Sequence, residues 1–437
     1  MKRVTITYYT IAGLFTLSAA LIWGVNTLFL LDAGLDIFEV FLANSAFTLG
    51  MVLFEVPTGV LADTAGRRVS FLWSVAVLAV TTVWYVLVAR SGGGVLAFAI
   101  VSIVMGLGFT FYSGAVEAWL VDALAASGYR GELDPVFARG SMVSGAAMIA
   151  GTLAGGFLGD VDLAIPYVVR AAMLVCAFAV AWFAMHDLGF TPQAAGLGDI
   201  PARMRETLRA SVRFGWRERP VRLLMFVSFL QWGFMSWGFY AWQPYFLELL
   251  GRDAVWVSGV AASAIAGAMI VGNAIVERLS RFCDRRTTLM LWAAAAQAVA
   301  AVGVGLTDRF WLALTLMIVL AAGMGVTGPV KQAYLHRSIP TAQRASVVSF
   351  DSMFGNGGGI AGQSGLGWLS RARSIEDGYV TGGAALFLAI PLLAALRRLG
   401  GAADRIMGTA GVEGPCAAQG IPEVAGVDAR ARVGVSE

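Results

Sequence analysis

Charge is scarce in this chain. Only 14% of its 437 residues are Asp, Glu, Lys or Arg, against 58% hydrophobic, and mean hydropathy is +0.74. That is too little polar surface to coat a water-soluble globule, so the chain belongs in lipid. Histidine is nearly absent: His186 and His336 fall at expected helix ends without ligand-spaced partners, which argues against a metal site. Of the three cysteines, Cys176 lies in an apolar run and Cys283 and Cys416 in polar segments, so no disulfide is expected. No Gly-x-x-x-x-Gly-Lys-Ser/Thr loop is present to cradle a nucleotide. Gly323-Met-Gly325-Val-Thr-Gly328 fits a dinucleotide pattern, but inside an apolar run it is better explained by close helix packing. No nucleophile, base and metal set occurs together, so neither an enzyme nor a cofactor is expected.

What the chain has instead is long apolar runs. Windows of about 19 residues predict spans near 8–31, 38–61, 69–89, 95–121, 138–159, 163–185, 222–247, 254–279, 287–306, 309–335, 345–369 and 378–397. The expected fold is all-α, with twelve transmembrane helices. Lys2 and Arg3 before the first run also fit a secretory signal, but that run is longer than a signal's apolar core and leads straight into another span.

The arginines orient the spans. Arg67, Arg68, Arg130, Arg139, the seven arginines from Arg203 to Arg222, Arg278, Arg281, Arg285, Arg286, Arg337, Arg344, Arg397 and Arg398 fall on one side with Lys2 and Arg3. The positive-inside bias puts that side and both termini in the cytoplasm. The net charge of +3 therefore reports topology and gives no reason to expect a nucleic-acid partner.

The longest polar stretch divides the chain into a first six-helix bundle (1–186), a linker (187–221), a second bundle (222–398) and a tail (399–437). Arg205, Arg209, Arg213 and Arg217 recur every four residues and suit a surface helix on anionic lipid. The tail is rich in Gly, Ala, Pro and Arg, lacks apolar periodicity and reads as disordered. Asp284-Arg285-Arg286 repeats Gly66-Arg67-Arg68 about half a chain later, as two related bundles holding substrate between them would require.

The run Gly59-Val-Leu-Ala-Asp63-Thr-Ala-Gly66-Arg67-Arg68 follows a membrane-length apolar segment containing Glu55 and Pro57. It resembles the signature loop between helices 2 and 3 of the major facilitator superfamily of secondary transporters. The resemblance extends over roughly residues 5–400. It implies that Asp63 faces the N-terminal end of helix 11, near Arg344 and Ala345, and that Arg67 pairs with an acid at the foot of helix 4, here Asp122. A helix end carries roughly half a positive charge, so these gating residues would latch the halves together on the cytoplasmic side. The plainer alternative is that Asp63, Arg67 and Arg68 solvate a helix end.

Glu55 precedes Asp63 by eight residues, which puts it about 12 Å deeper in a continuous helix. Glu117 reaches a comparable depth on helix 4. An ionised carboxylate there must be paired, wet or protonated, so both are candidates for proton coupling. Against this, Glu55 could cap a break at Pro57 and Glu117 could pair with Arg139. Lys331 and Asp351 lie at similar depth, as an ion pair that breaks during a cycle or as a static bridge. Arg170 is expected to pair with Asp160 or Asp162, or to reach the membrane surface.

Helix 5 carries Gly151-Thr-Leu-Ala-Gly155-Gly156-Phe-Leu-Gly159-Asp160, similar to the antiporter motif of drug exporters in that superfamily, with Gly156 where the motif has proline. Its other reading is a small-residue face for helix packing. Phe54-Glu55 with Ser113-Gly114, and Pro329-Val-Lys331-Gln332 with Arg344-Ala-Ser346, resemble a bacterial branch of multidrug and antibiotic exporters. Trp23, Asn26, Tyr112, Gln231, Trp237, Tyr240 and Gln243, with Lys331 and Asp351, are candidate substrate contacts; aromatic faces with scattered amides suit a bulky, partly apolar or cationic solute. The resulting expectation is a monomeric, proton-coupled exporter of a small molecule in a bacterial inner membrane. Import of a nutrient and ligand sensing without transport are its rivals.

Overall fold

The computed structural model describes residues 2–190, 205, 209, 216–251, 254–339 and 344–406, without the side chains of 344–346. The proposed surface helix of the linker falls largely outside these residues, as does the tail from 407 onward. The first half contains α1 (Lys2–Trp23), α2 (Asn26–Asp32), α3 (Ile37–Ala65), α4 (Arg67–Arg90), α5 (Val95–Tyr112), α6 (Ala115–Ala126), α7 (Asp134–Val161) and α8 (Ile165–Ala184). The second contains α9 (Arg219–Leu250), α10 (Val255–Ser280), α11 (Arg286–Leu306), α12 (Phe310–Ser338), α13 (Arg344–Ala372), α14 (Ile375–Leu386) and α15 (Ala389–Leu399).

These helices make twelve crossings, because α1 and α2, α5 and α6, and α14 and α15 are each one span with a break. The first break is at Gly24-Val25 and the second at Ser113-Gly114, where Gly114 takes a left-handed φ of 73°. Eleven crossings are long and apolar enough to traverse a membrane by composition. The remaining one, α13, has 29 residues but is rich in Gly, Ser and Asn. Its length still spans a hydrocarbon core of about 30 Å. It packs between α9 of its own half and α3 of the other.

Local sequence sets the helix ends. Asp36 and Glu39 form a reciprocal capping box at the start of α3. Pro135, Pro166 and Pro220 sit in the first turns of α7, α8 and α9, where no backbone donor is lost. Gly66 separates α3 from α4 with φ 110°, and a Cβ there would strike the Asp187 carboxylate. Outer faces expose Trp73, Phe183, Trp292 and Trp311, a surface that lipid rather than water would solvate.

Within the first half, α1 packs on α7 and α8, α3 on α5, and α4 on α5 and α8. Within the second, α9 packs on α13 and α15, and α12 on α10 and α11. The halves meet mainly along α7 against α10 and α3 against α13. We call the end bearing Arg67, Arg68 and Arg286 the arginine-rich end, and the opposite one the far end. Residues 400–406, expected as part of a disordered tail, instead turn back onto the start of α11. There Arg286 donates to the Ala403 and Arg405 carbonyls at 2.8 and 2.5 Å, and Asp404 accepts from Thr287 N at 2.8 Å.

Candidate substrate cavity and gates

A cavity of about 310 Å³ lies within the first half and is closed on one side by Tyr240 of α9. Trp23, Phe47 and Phe109 give it aromatic walls, and Asn26, Asn44 and Arg170 give it polarity. The break between α1 and α2 shapes its far end. Breaking a helix frees backbone groups that need partners, and Gln243 of α9 supplies them. Its Oε1 accepts from Thr27 N and its Nε2 donates to the Trp23 carbonyl, both at 2.9 Å, while Thr27 Oγ1 donates to the Tyr240 carbonyl at 2.9 Å. Gln243 is fully buried and bridges the halves; it is not among the cavity residues.

More bonds close the far end. Arg371 pairs with Asp36 at 3.2 Å, and Asp160 accepts from Trp256 N at 3.3 Å. Deeper along the same seam, Thr152 and Ser263 share a hydrogen bond of 2.6 Å. The helix 5 glycines line this contact. A Cβ on Gly155 would collide with the Leu21 carbonyl, on Gly151 would lie 2.8 Å from the Leu17 carbonyl, and on Gly156 would lie 2.5 Å from Gly259 Cα. Gly159 abuts Val25 and Val255. Gly151 and Gly155 thus seat α7 on α1, and Gly156 seats it on α10 across the seam.

At the arginine-rich end, among the described residues, the bonds of the motif join partners of the first half. Asp63 pairs with Arg67 at 2.6 Å, and Arg67 Nε stands 4.0 Å from Asp122 Oδ2. Arg68 stacks on Trp182 and donates to its carbonyl at 2.7 Å. The expected contact of Asp63 with the start of α13 involves Arg344 and Ala345, whose side chains lie outside the described residues. Gly59 is exposed, with open space where a Cβ would project.

The candidate proton carriers are apart. Glu55 is half-buried on α3, and its carboxylate makes no bond to another described residue. Glu117 is exposed in the first turn of α6, within electrostatic reach of Tyr8 and Tyr112. The two carboxylates make no bond to each other, and the break at Gly114 separates the helix that carries Glu117 from α5.

Several candidate substrate contacts lie elsewhere. Trp237 is fully buried against Phe41, Phe234 and Tyr379. Tyr112 stacks on Phe15 at 3.6 Å, and Gln231 reaches Gln297 at 3.4 Å, neither lining the cavity. Lys331 and Asp351 are bonded to each other at 2.7 Å and both to Ser228 of α9 at 2.7 Å. That buried cluster ties α9, α12 and α13 together and offers no free charge to a solute. Trp23, Asn26 and Tyr240 do line the cavity.

Sequence reasoning missed Asn44, Thr27, Ser228 and the role of Arg170. Arg170 bonds to neither Asp160 nor Asp162, which are occupied by Trp256 N and Ala164 N. An arginine flanked by Tyr167, Val169, Met173 and Leu174 has no acid one helical turn away, and that was the available signal. Asp187 and Asp404 were also missed. Each follows the last helix of its half and caps an early one, Asp187 accepting from Arg68 N at 2.9 Å as Asp404 does from Thr287 N.

The comparisons agree with this architecture. A class D tetracycline resistance protein from Salmonella ordonez is 32% identical over 184 residues, 42% of each chain, so the match spans less than half of that relative. The nucleoside transporter NupG superposes with a TM-score of 0.75 at 12% identity, covering 90% of this chain and 99% of its own. The peptide transporter POT gives 0.72 at 14%, covering 91% and 94%, and the human organic anion transporter MFSD10 gives 0.60 at 16%, covering 90% and 99%. At such identities the likeness is one of fold. The family model for the Major Facilitator Superfamily matches residues 8–363, and the chain belongs to that superfamily of membrane transporters.

Proposed function

We propose that this transporter exports a partly hydrophobic small molecule from a bacterial cytoplasm in exchange for protons, by rocking its two halves so that the cavity of the first half, closed by Tyr240 of the second, opens to each side in turn. The observation that carries the reading is the cavity beneath a far end bonded across the halves by Gln243, the Arg371–Asp36 pair and the Asp160–Trp256 bond. By the positive-inside bias the far end faces outward. The structure then corresponds to a state loaded from the cytoplasm. The tetracycline resistance protein supports export of a drug-like solute, and the glycines of α7 let the seam between α7 and α10 close tightly.

In this account the far-end bonds break as the cytoplasmic side shuts, and Asp63 exchanges Arg67 for the positive end of α13. Glu55 and Glu117 are the proton carriers. Glu55 has no cation to hold its charge inside the membrane, so a proton is the partner that makes its burial tolerable. One charge moving through 100 mV supplies about 2.3 kcal/mol, enough for roughly a fifty-fold gradient of a neutral solute.

The test uses energised inside-out vesicles in which lumenal pH is recorded as tetracycline and other hydrophobic antibiotics are added. Proton release that disappears in Glu55→Gln or Glu117→Gln supports antiport and identifies the carrier. Solute and protons leaving the lumen together would establish symport in the import direction, and silence for every compound would count against transport of this class.

A further inference from the structure

Arg170 is 7% exposed and lines the cavity, yet no hydrogen bond or ion pair to its side chain is present among the described residues, and its Nε is buried without a partner. The titratable groups near enough to act on its charge are Tyr85, Tyr167 and Tyr240, all of which line the same space, and none is a carboxyl. A guanidinium withdrawn from water without a counter-charge is costly, and that cost is met only when something anionic joins it.

The side chains of Asn26 and Asn44 line the same cavity. Tyr167 Oη donates to Asn26 Oδ1 at 2.8 Å, and Asn26 Nδ2 donates to Asn44 Oδ1 at 3.1 Å. This chain ends at the Asn44 side-chain amide, whose Nδ2 has no partner among the described residues. The cavity therefore presents one unpaired cation, Arg170, with the Asn26 and Asn44 amides and aromatic walls around it. No Asp or Glu lines it, so a cation would find aromatic faces but no counter-charge.

We infer that the transported solute is an organic anion, a carboxylate or comparable oxyanion on an aromatic scaffold, held by Arg170 and Asn44 while its rings lie against Trp23, Phe47 and Phe109. This rests on the cavity being the transport site, and it replaces the expectation of a cationic solute. Arginine suits the task because its planar fork engages two oxygens of one oxyanion.

The full-length protein in lipid nanodiscs would be titrated with anthracene-2-carboxylate and with the matching neutral carboxamide, following probe fluorescence anisotropy. The carboxylate should bind at least ten-fold more tightly. Arg170→Gln should remove that difference, Arg170→Lys should keep part of it, and Asn44→Leu should weaken carboxylate binding several-fold. Equal affinity of the two probes for the unaltered protein, binding of neither, or full discrimination in Arg170→Gln would overturn the inference. The first comparison needs no variant, so misfolding cannot obscure it. Vesicle transport separates the two claims: neutral or cationic dyes pumped without anion preference would sink the anion site alone, whereas carboxylate binding without movement of any solute would sink the export reading alone.

Discussion

Gly155 sits where the Leu21 carbonyl leaves no room for a side chain, and a Cβ on Gly156 would lie 2.5 Å from Gly259 Cα of the other half. Overpacking a tight contact costs about 1–3 kcal/mol, so Gly155→Leu should lower thermal stability in detergent and reduce transport, while Gly34→Ala, in open space but with φ 95°, should cost less. Gln243 acts across the seam instead. Gln243→Leu removes two bonds worth about 1 kcal/mol each, so the far end should open roughly thirty-fold more often. A cysteine placed at Val25 would report this as faster labelling from the far side of the membrane. At this scale the sequence was legible where spacing alone carries the meaning, as in the glycines of α7. Gln243 and Arg170 were not, because their partners are more than a hundred residues away or absent.

Single helices show a second layer of design in the caps that Asp187 and Asp404 place on α4 and α11. Losing such a cap typically costs about 1 kcal/mol. Asp187→Ala and Asp404→Ala should each lower the unfolding midpoint modestly, and truncation after Leu399 should reproduce the second effect. The arginine repeat was readable in the sequence, whereas the acids that complete it carry no spacing rule. Lys331 and Asp351 offer a sharper test of whether a buried charge pair is structural. Removing one partner of such a pair costs about 3–5 kcal/mol, whereas replacing both with apolar residues is tolerated. Lys331→Met or Asp351→Leu should therefore be poorly folded, and the double variant should recover in size-exclusion and thermal assays. Recovery of folding with loss of transport would return the pair to the transport cycle. The spans and their order were legible because lipid demands long apolar runs. The breaks within three spans were not, since a Ser-Gly or Gly-Val pair in such a run is also common in unbroken helices.

For the whole molecule, the family and the twelve crossings follow from composition and from one loop motif, while the conformational state does not, because the same sequence must support both ends open in turn. The account rests on far-end closure being one half of a cycle rather than a permanent seal. The most direct test places cysteines at Asp36 and Arg371, whose side chains pair in the closed far end, in a background with Cys176, Cys283 and Cys416 changed to serine. A short bis-maleimide would then join them in membrane vesicles, with each single-cysteine protein treated in parallel. Cross-linking should abolish transport and leave binding from the cytoplasmic side intact, with no loss in the single-cysteine controls. Full transport by the cross-linked protein would contradict alternating access between the two halves.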